Sequence, residues 1–219
     1  MRARRKLWMG ALGALTTAVG LVGVLHMPCA RGLLMRIGGC PVGRASLAEM
    51  EPARRAAISG ERGVATAPSR PALGFDLDKT TRADTRAWAK RAHVSCDEVR
   101  EGLVGCKNVP ASALGLPEND GPVSELNFGF NTKGVLVDVS TMRMHVDPRP
   151  VQDIEARLEA QVGEPQQRSG SFDGANLTQE SPDISTVRYR YRDYFAELIA
   201  MRFQADGLVL REHYMSAND

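Results

Sequence analysis

Residues 123–130, VSELNFGF, residues 131–134, NTKG, and residues 135–146, VLVDVSTMRMHV, read as a strand, a loop and a second strand. In the first run Leu126, Phe128 and Phe130 alternate with polar or small residues, the period-two pattern of a strand with one buried face. The loop ends in Gly134, which suits a hairpin connection. In the second run Val135, Val137 and Val139 share one face, then Met142, Met144 and Val146 share the other. That change of phase predicts a bulge near Ser140 and Thr141.

Working outward, helices flank the hairpin. Upstream, Thr81 and Asp84 have capping-box spacing and predict a helix to about His93, with Thr85, Trp88, Ala89 and Ala92 on one face and Trp88 as its core anchor. Residues 102–110 read as an extended segment carrying Cys106. Downstream, Val151, Ile154, Leu158 and Val162 line one face of a helix that Gly163 ends, with Asp153 and Glu155 near its positive N-terminal end. Residues 164–184, rich in Gly, Ser, Gln and Asp, read as a long loop with room for one strand. Residues 185–193, 194–203 and 208–215 read as strands, the last two joined by a turn at 204–207.

The two halves parallel each other. Glu125-Leu126 and Phe130 followed by Gly134 match Glu197-Leu198 and Phe203 followed by Gly207, with the Glu-Leu spacing shifted by one residue. Repeats of about 73–146 and 147–219 are therefore expected, each a helix plus antiparallel strands. The fold class is α+β: one sheet with the helices on one face, preceded by a transmembrane helix.

The transmembrane expectation comes from residues 7–25, LWMGALGALTTAVGLVGVL, nineteen uncharged residues behind the basic tip of residues 1–6. As a helix they span roughly 28 Å, close to a bilayer's hydrocarbon core of about 30 Å. Their length favours a retained signal anchor over a cleaved peptide, whose apolar region runs to about 7–15 residues. A lipobox-like Ile37-Gly38-Gly39-Cys40 is a third reading, weakened by Arg36. Four basic residues before the run place the N-terminus inside. The expectation is a single-pass protein of the bacterial inner membrane, touching the lipid bilayer through 7–25, with a periplasmic C-terminal domain. Residues 26–72 read as a juxtamembrane segment and flexible linker, since 41–73 lack aromatics and apolar periodicity, although a short helix over 47–57 is compatible with them.

Charge is unevenly distributed. Residues 1–71 carry 11 basic and 3 acidic residues, and residues 72–219 carry 17 and 23. An acidic body excludes a general nucleic-acid binder as partner. Arg outnumbers Lys by 23 to 5, a bias associated with GC-rich bacterial genomes. Cys96 and Cys106 lie close together in the body and form the disulfide candidate. Two buried free thiols, or a metal site with His93, are the alternatives.

The order of a helix followed by meandering strands with an F-x-x-x-G hairpin resembles the small BamE-like modules of outer-membrane assembly. Doubled, it resembles the architecture of the β-lactamase inhibitory proteins. Residues 77–85, LDKTTRADT, are similar to the Gly-x-Thr-x-x-x-Val helix start of the BamE family, but lack its Gly and carry Thr85 in place of Val. The resemblance covers 73–219 and implies an interaction module rather than an enzyme, with no contact residue carried over.

No nucleophile elbow, zinc-protease motif, phosphate loop or C-x-x-C is present. His93, His145 and His213 lack a sequence partner that would mark a general base, and Met142, Met144 and His145 read as core packing rather than copper ligands. No catalytic residue, metal or cofactor is expected. Arg188, Arg190 and Arg192 share one strand face opposite Val187, Tyr189 and Tyr191. They form either an anion-binding stripe or a solvent-facing surface paired with acidic neighbours. The expected function is a non-catalytic interaction module for another envelope protein, with an extracytoplasmic sensor or carrier of a small anionic ligand or polymer as the alternative.

Overall fold

The computed structural model of the protein describes residues 46–179, 184–203 and 206–218. Eight antiparallel strands form its sheet: β1 (Cys96–Arg100), β2 (Leu103–Val109), β3 (Val123–Phe130), β4 (Leu136–Arg143), β5 (Gln167–Ser169), β6 (Ser185–Arg190), β7 (Tyr194–Phe203) and β8 (Gly207–Ser216). They lie in the order β1-β2-β3-β4-β8-β7-β6-β5. Each half is a meander, and the last strand of the first half pairs with the last strand of the second. That seam runs from Asp138 opposite Met215 to Arg143 opposite Leu210. Among the described residues four α-helices accompany the sheet: α1 (Leu47–Glu61), α2 (Arg82–Arg91), α3 (Pro148–Val162) and the short α4 (Gly174–Leu177).

Helix α2 starts where Thr81 accepts from the Asp84 amide and Asp84 reaches back to the Thr81 amide, so two otherwise orphan donors are satisfied. It packs through Trp88, whose ring meets Phe75 and Phe128 edge-on at 5.1 and 5.6 Å. Helix α3 buries Val151, Ile154, Leu158 and Val162 on the same side of the sheet. The main core lies there, between these helices and Leu126, Phe128, Val139, Tyr189, Tyr194, Leu198 and Leu210. Cys96 and Cys106 are directly opposite each other on β1 and β2 and are joined by a disulfide.

Three expectations are corrected. Among the described residues no helix is long and apolar enough to cross a membrane. Residues 7–25 lie outside the described residues. The transmembrane helix in the fold class, the bilayer contact, the inner-membrane placement and the envelope-anchored interaction role are therefore not retained. The described fold is α+β, with an eight-stranded antiparallel sheet.

The second correction concerns the helices, which do not share one face. Phe195, Met215, Asp138 and Gly129 form a cross-strand row on the face opposite the core. Helix α1 lies against that row: Leu47, Met50 and Arg54 face Gly129 and Asp138, and Ala57 and Ile58 face Phe195 and Met215. The compact unit accordingly begins at Ser46 rather than near Leu73. Composition hides this because α1 buries only Ile58 among its apolar residues and is held largely by polar links. Ser46 and Glu49 close a capping box, Glu51 pairs with Arg54 and Arg55, and the Leu47 amide donates to Glu101 at 3.1 Å.

The third correction is one of phase. The irregularity between β3 and β4 falls at Val137, between the pairs Gly129–Asp138 and Phe130–Leu136, and not at Ser140–Thr141. From Asp138 onward the residues facing the core are Val139, Thr141 and Arg143, while Met142 faces the α1 side.

Candidate functional site

The arginine stripe is committed to internal partners. Arg188 pairs with Glu197 on the adjacent strand, Arg190 pairs with Glu61 at the end of α1, and Arg192 donates to the Thr66 hydroxyl at 2.7 Å. Residues 63–65 run beside this edge: the Gly63 amide donates to the Tyr191 carbonyl, and the Arg192 amide donates to the Ala65 carbonyl. A Cβ at residue 63 would stand 2.0 Å from the Arg190 carbonyl oxygen, so the approach requires glycine. One partner is an acidic residue of the adjacent strand, one an acidic residue of α1 and one a hydroxyl, so each of the three arginines has an internal partner.

A different set of charges converges on the core side of the seam. The bulge at Val137 sets the phase of β4 so that Arg143 points inward, where its side chain is 1% exposed. It forms an ion pair with Glu212 of β8, which is also buried. Glu212 additionally accepts from the Thr141 hydroxyl at 3.0 Å and the Tyr214 phenol at 2.6 Å. Both Glu212 oxygens are thereby occupied. Arg143 is not so well served: Nε and Nη2 have no hydrogen-bond partner among the described residues.

Beside this pair, Asp120 ends a 3-10 turn (Glu118–Asp120) and is buried. Its Oδ2 pairs with Arg157 of α3, and its Oδ1 has no partner among the described residues. Burial pushes the Asp120 carboxyl up, and the Glu212 charge adds to this against the opposing pull of Arg157 and Arg143. Burial likewise raises the Tyr214 phenol well above its ordinary range, with Glu212 contributing, so Tyr214 remains a donor.

These groups line a cavity of about 410 Å³. Its wall is aliphatic, formed by Leu73, Leu114, Leu116, Ile154 and Leu158. Gly74, Gly115 and Gln161 are exposed at its rim, so it opens to solvent. Three elements position the site. The 70–78 segment is tied down by Asp78, which accepts from Arg70, Ser216 and Asn218, and by the Tyr194 phenol donating to the Pro71 carbonyl at 2.6 Å. The 3-10 turns of residues 111–120 and helix α3 complete it. A second gap, about 170 Å³, lies under α1 against Tyr191, Phe195 and Met215 and offers little beyond apolar surface.

Chemically, the cavity joins an aliphatic wall to the buried Arg143–Glu212 and Arg157–Asp120 pairs, and the unpartnered atoms of Arg143 and Asp120 are themselves shielded from solvent. A general acid–base pair needs two titratable groups free to exchange protons with a substrate. Here Glu212 and Tyr214 are bound to each other, and one oxygen of Asp120 is held by Arg157. The chain matches no known protein family, and no curated protein and no solved structure matches it.

None of Arg188, Arg190 and Arg192 lines this cavity, and none of Asp120, Arg143, Arg157 and Glu212 stood out in the sequence. A signal did exist: Arg143 and Thr141 are in phase with Val139, and polar residues at inward strand positions mark a site when the phase is known. His213 sits on the opposite face, with its Nε2 2.5 Å from Asp138. Burial there pushes the imidazole down, but the hydrogen bond and charge of Asp138 outweigh it and hold the group above the ordinary histidine range.

Proposed function

We propose that the unit beginning at Ser46 is a non-catalytic binding module that holds a small, polar-headed aliphatic ligand in the cavity between α3 and the β4–β8 seam. The observation that supports this is the cavity itself, which opens to solvent, carries an aliphatic wall and is backed by the buried Arg143–Glu212 and Arg157–Asp120 pairs. A buried, unmet polar group costs about 1–3 kcal/mol, and an ion pair in a core is no better for stability than apolar packing. The cavity volume falls within the range of about 300–1,000 Å³ common for small-molecule sites.

The test is a methyl-labelled NMR screen of the full chain against a panel of aliphatic compounds bearing one polar head. Saturable binders should shift the methyl signals of Leu114, Leu116, Ile154 and Leu158 together. A screen that yields no binder, or binders that move only other methyls, overturns the reading.

A further inference from the structure

The disulfide lies at the margin of the sheet, and its two halves differ in exposure. Cys106 is 2% exposed within the core, whereas Cys96 on β1 is partly exposed. Among the described residues no strand lies beyond β1, and the other four residues of that strand are exposed. Cys96 lines a recess of about 370 Å³ between β1 and helix α2, and Cys106 does not. The lining of this recess is basic. Arg82, Arg86 and Lys90 recur every four residues, so they share one side of α2, the side that borders Cys96. Glu98 is the one carboxylate in the lining. It holds Arg82 at 3.2 Å, and Arg82 also lies over the Phe130 ring. Arg86 stands 4.0 Å from the same carboxylate with its side chain 68% exposed, and the exposed Lys90 has no ion pair among the described residues. The recess therefore keeps a surplus of positive charge beside a sulfur–sulfur bond.

In thiol–disulfide exchange a thiolate attacks one sulfur in line with the bond, from the side away from the leaving sulfur. For Cys96 that side is the outer margin of the sheet. For Cys106 it is the next strand, β3, where Leu126 is its register partner. The folded chain thus offers Cys96 to a thiolate and withholds Cys106. The attacker is an anion, and cations beside the sulfur raise its local concentration. We propose that Cys96 is a modification site, at which a small thiol bearing a carboxylate opens the disulfide and stays attached as a mixed disulfide. The thiol first releases its proton. Its sulfur bonds to Cys96, the Cys96–Cys106 bond breaks with its electron pair on Cys106, and Cys106 takes up a proton because burial disfavours its thiolate. The small thiol is oxidised in this step and Cys106 is reduced, so no other oxidant is needed. Protonation of Cys106 also slows its return attack on the adduct. The carboxylate rests against Arg86 and Lys90, the two cations least engaged by Glu98. A recess of this volume suits a molecule of low mass.

The experiment treats the oxidised full chain with mercaptopropionate, mercaptoethanol or cysteamine, whose thiolates carry two, one and no net negative charges. Samples are quenched with acid over time and read by mass spectrometry. Opening rates are taken per thiolate and divided by each thiol's rate on a small uncharged disulfide. The corrected rates should fall in that order, with a span of at least about fivefold at low salt that shrinks in ~1 M salt. Peptide mapping should place the mercaptopropionate adduct on Cys96. Arg86→Gln combined with Lys90→Gln, both at exposed positions, should flatten the order. Equal corrected rates in the parent chain, or an adduct on Cys106, overturn the proposal. So does passage to the dithiol with no adduct at any thiol concentration, and so does a disulfide that none of the three opens until denaturant unfolds the chain. The comparison among thiols uses the parent chain, so it stands even if the double variant fails to fold.

Discussion

Arg143 and Glu212 show how one buried pair can be costly to disturb and cheap to replace. Each ion is shielded from water on the core side of the sheet, and each offsets the other's burial. Arg143→Met alone leaves Glu212 as an uncompensated buried charge and should destabilise the protein by about 3–5 kcal/mol in denaturant unfolding. Adding Glu212→Gln removes that charge and keeps an acceptor for the Tyr214 phenol, so the double variant should recover most of the loss. Neither variant should retain ligand shifts at the α3 methyls. A double variant no more stable than the single one would show that the damage comes from lost packing and not from the stranded carboxylate.

Helix α1 covers the second face with little apolar burial. It contains Pro52, buries one apolar residue and sits over a gap of about 170 Å³. Its C-terminal end is anchored by Glu61 on Arg190 and by residues 63–66 laid along Tyr191 and Arg192. Gly63→Ala forces a methyl into the Arg190 carbonyl, a misfit of about 1–3 kcal/mol. Elements with few buried apolar contacts open locally before the core does. Amide exchange of α1 and of residues 63–66 should therefore accelerate, with β3, β4, β7 and β8 protected as in the parent chain. Uniform acceleration across the sheet would mean that α1 is integral to the global fold.

Element by element, the strands and the helices α2 and α3 were legible because their signals are local. The Thr81–Asp84 cap and the 151, 154, 158, 162 stripe each depend on a few neighbouring residues, and the structure places both where those residues put them. The phase of β4 was not legible. Its two faces are both covered, the core side by α3 and the other by α1, so apolar residues occur on both and alternation cannot choose between them. A bulge at Ser140 instead of Val137 would turn Arg143 outward, away from Glu212 and the cavity.

At the scale of the whole molecule, the strands of the two halves join into one sheet where β4 pairs with β8, and His213 on β8 bonds Asp138 on β4 across that seam. Glu197 faces the imidazole from β7, and Arg211 opposes it from its own strand. A histidine whose native pKa lies above its unfolded value of about 6.5 contributes stability that is full below that pH and fades as pH rises through the native value. The unfolding free energy of the parent chain should thus fall from about pH 6.5 upward by more than that of an Asp138→Asn variant. The gap between the two should close at high pH. Parallel curves would mean that the seam does not depend on the protonated imidazole.

The chain's local chemistry was sufficient for the identity and order of most elements, for the turn at residues 131–134 and for the closeness of Cys96 to Cys106. These follow from side-chain periodicity, capping and short sequence separation, which act over a few residues. Association over long distances settled the rest. The packing of 47–61 on the second face, the capture of Arg188, Arg190 and Arg192 by internal partners, and the cavity assembled from Asp120, Arg143, Arg157 and Glu212 each join residues far apart in the chain. A polar residue's role depends on what burial places opposite it, and that is a property of the folded molecule.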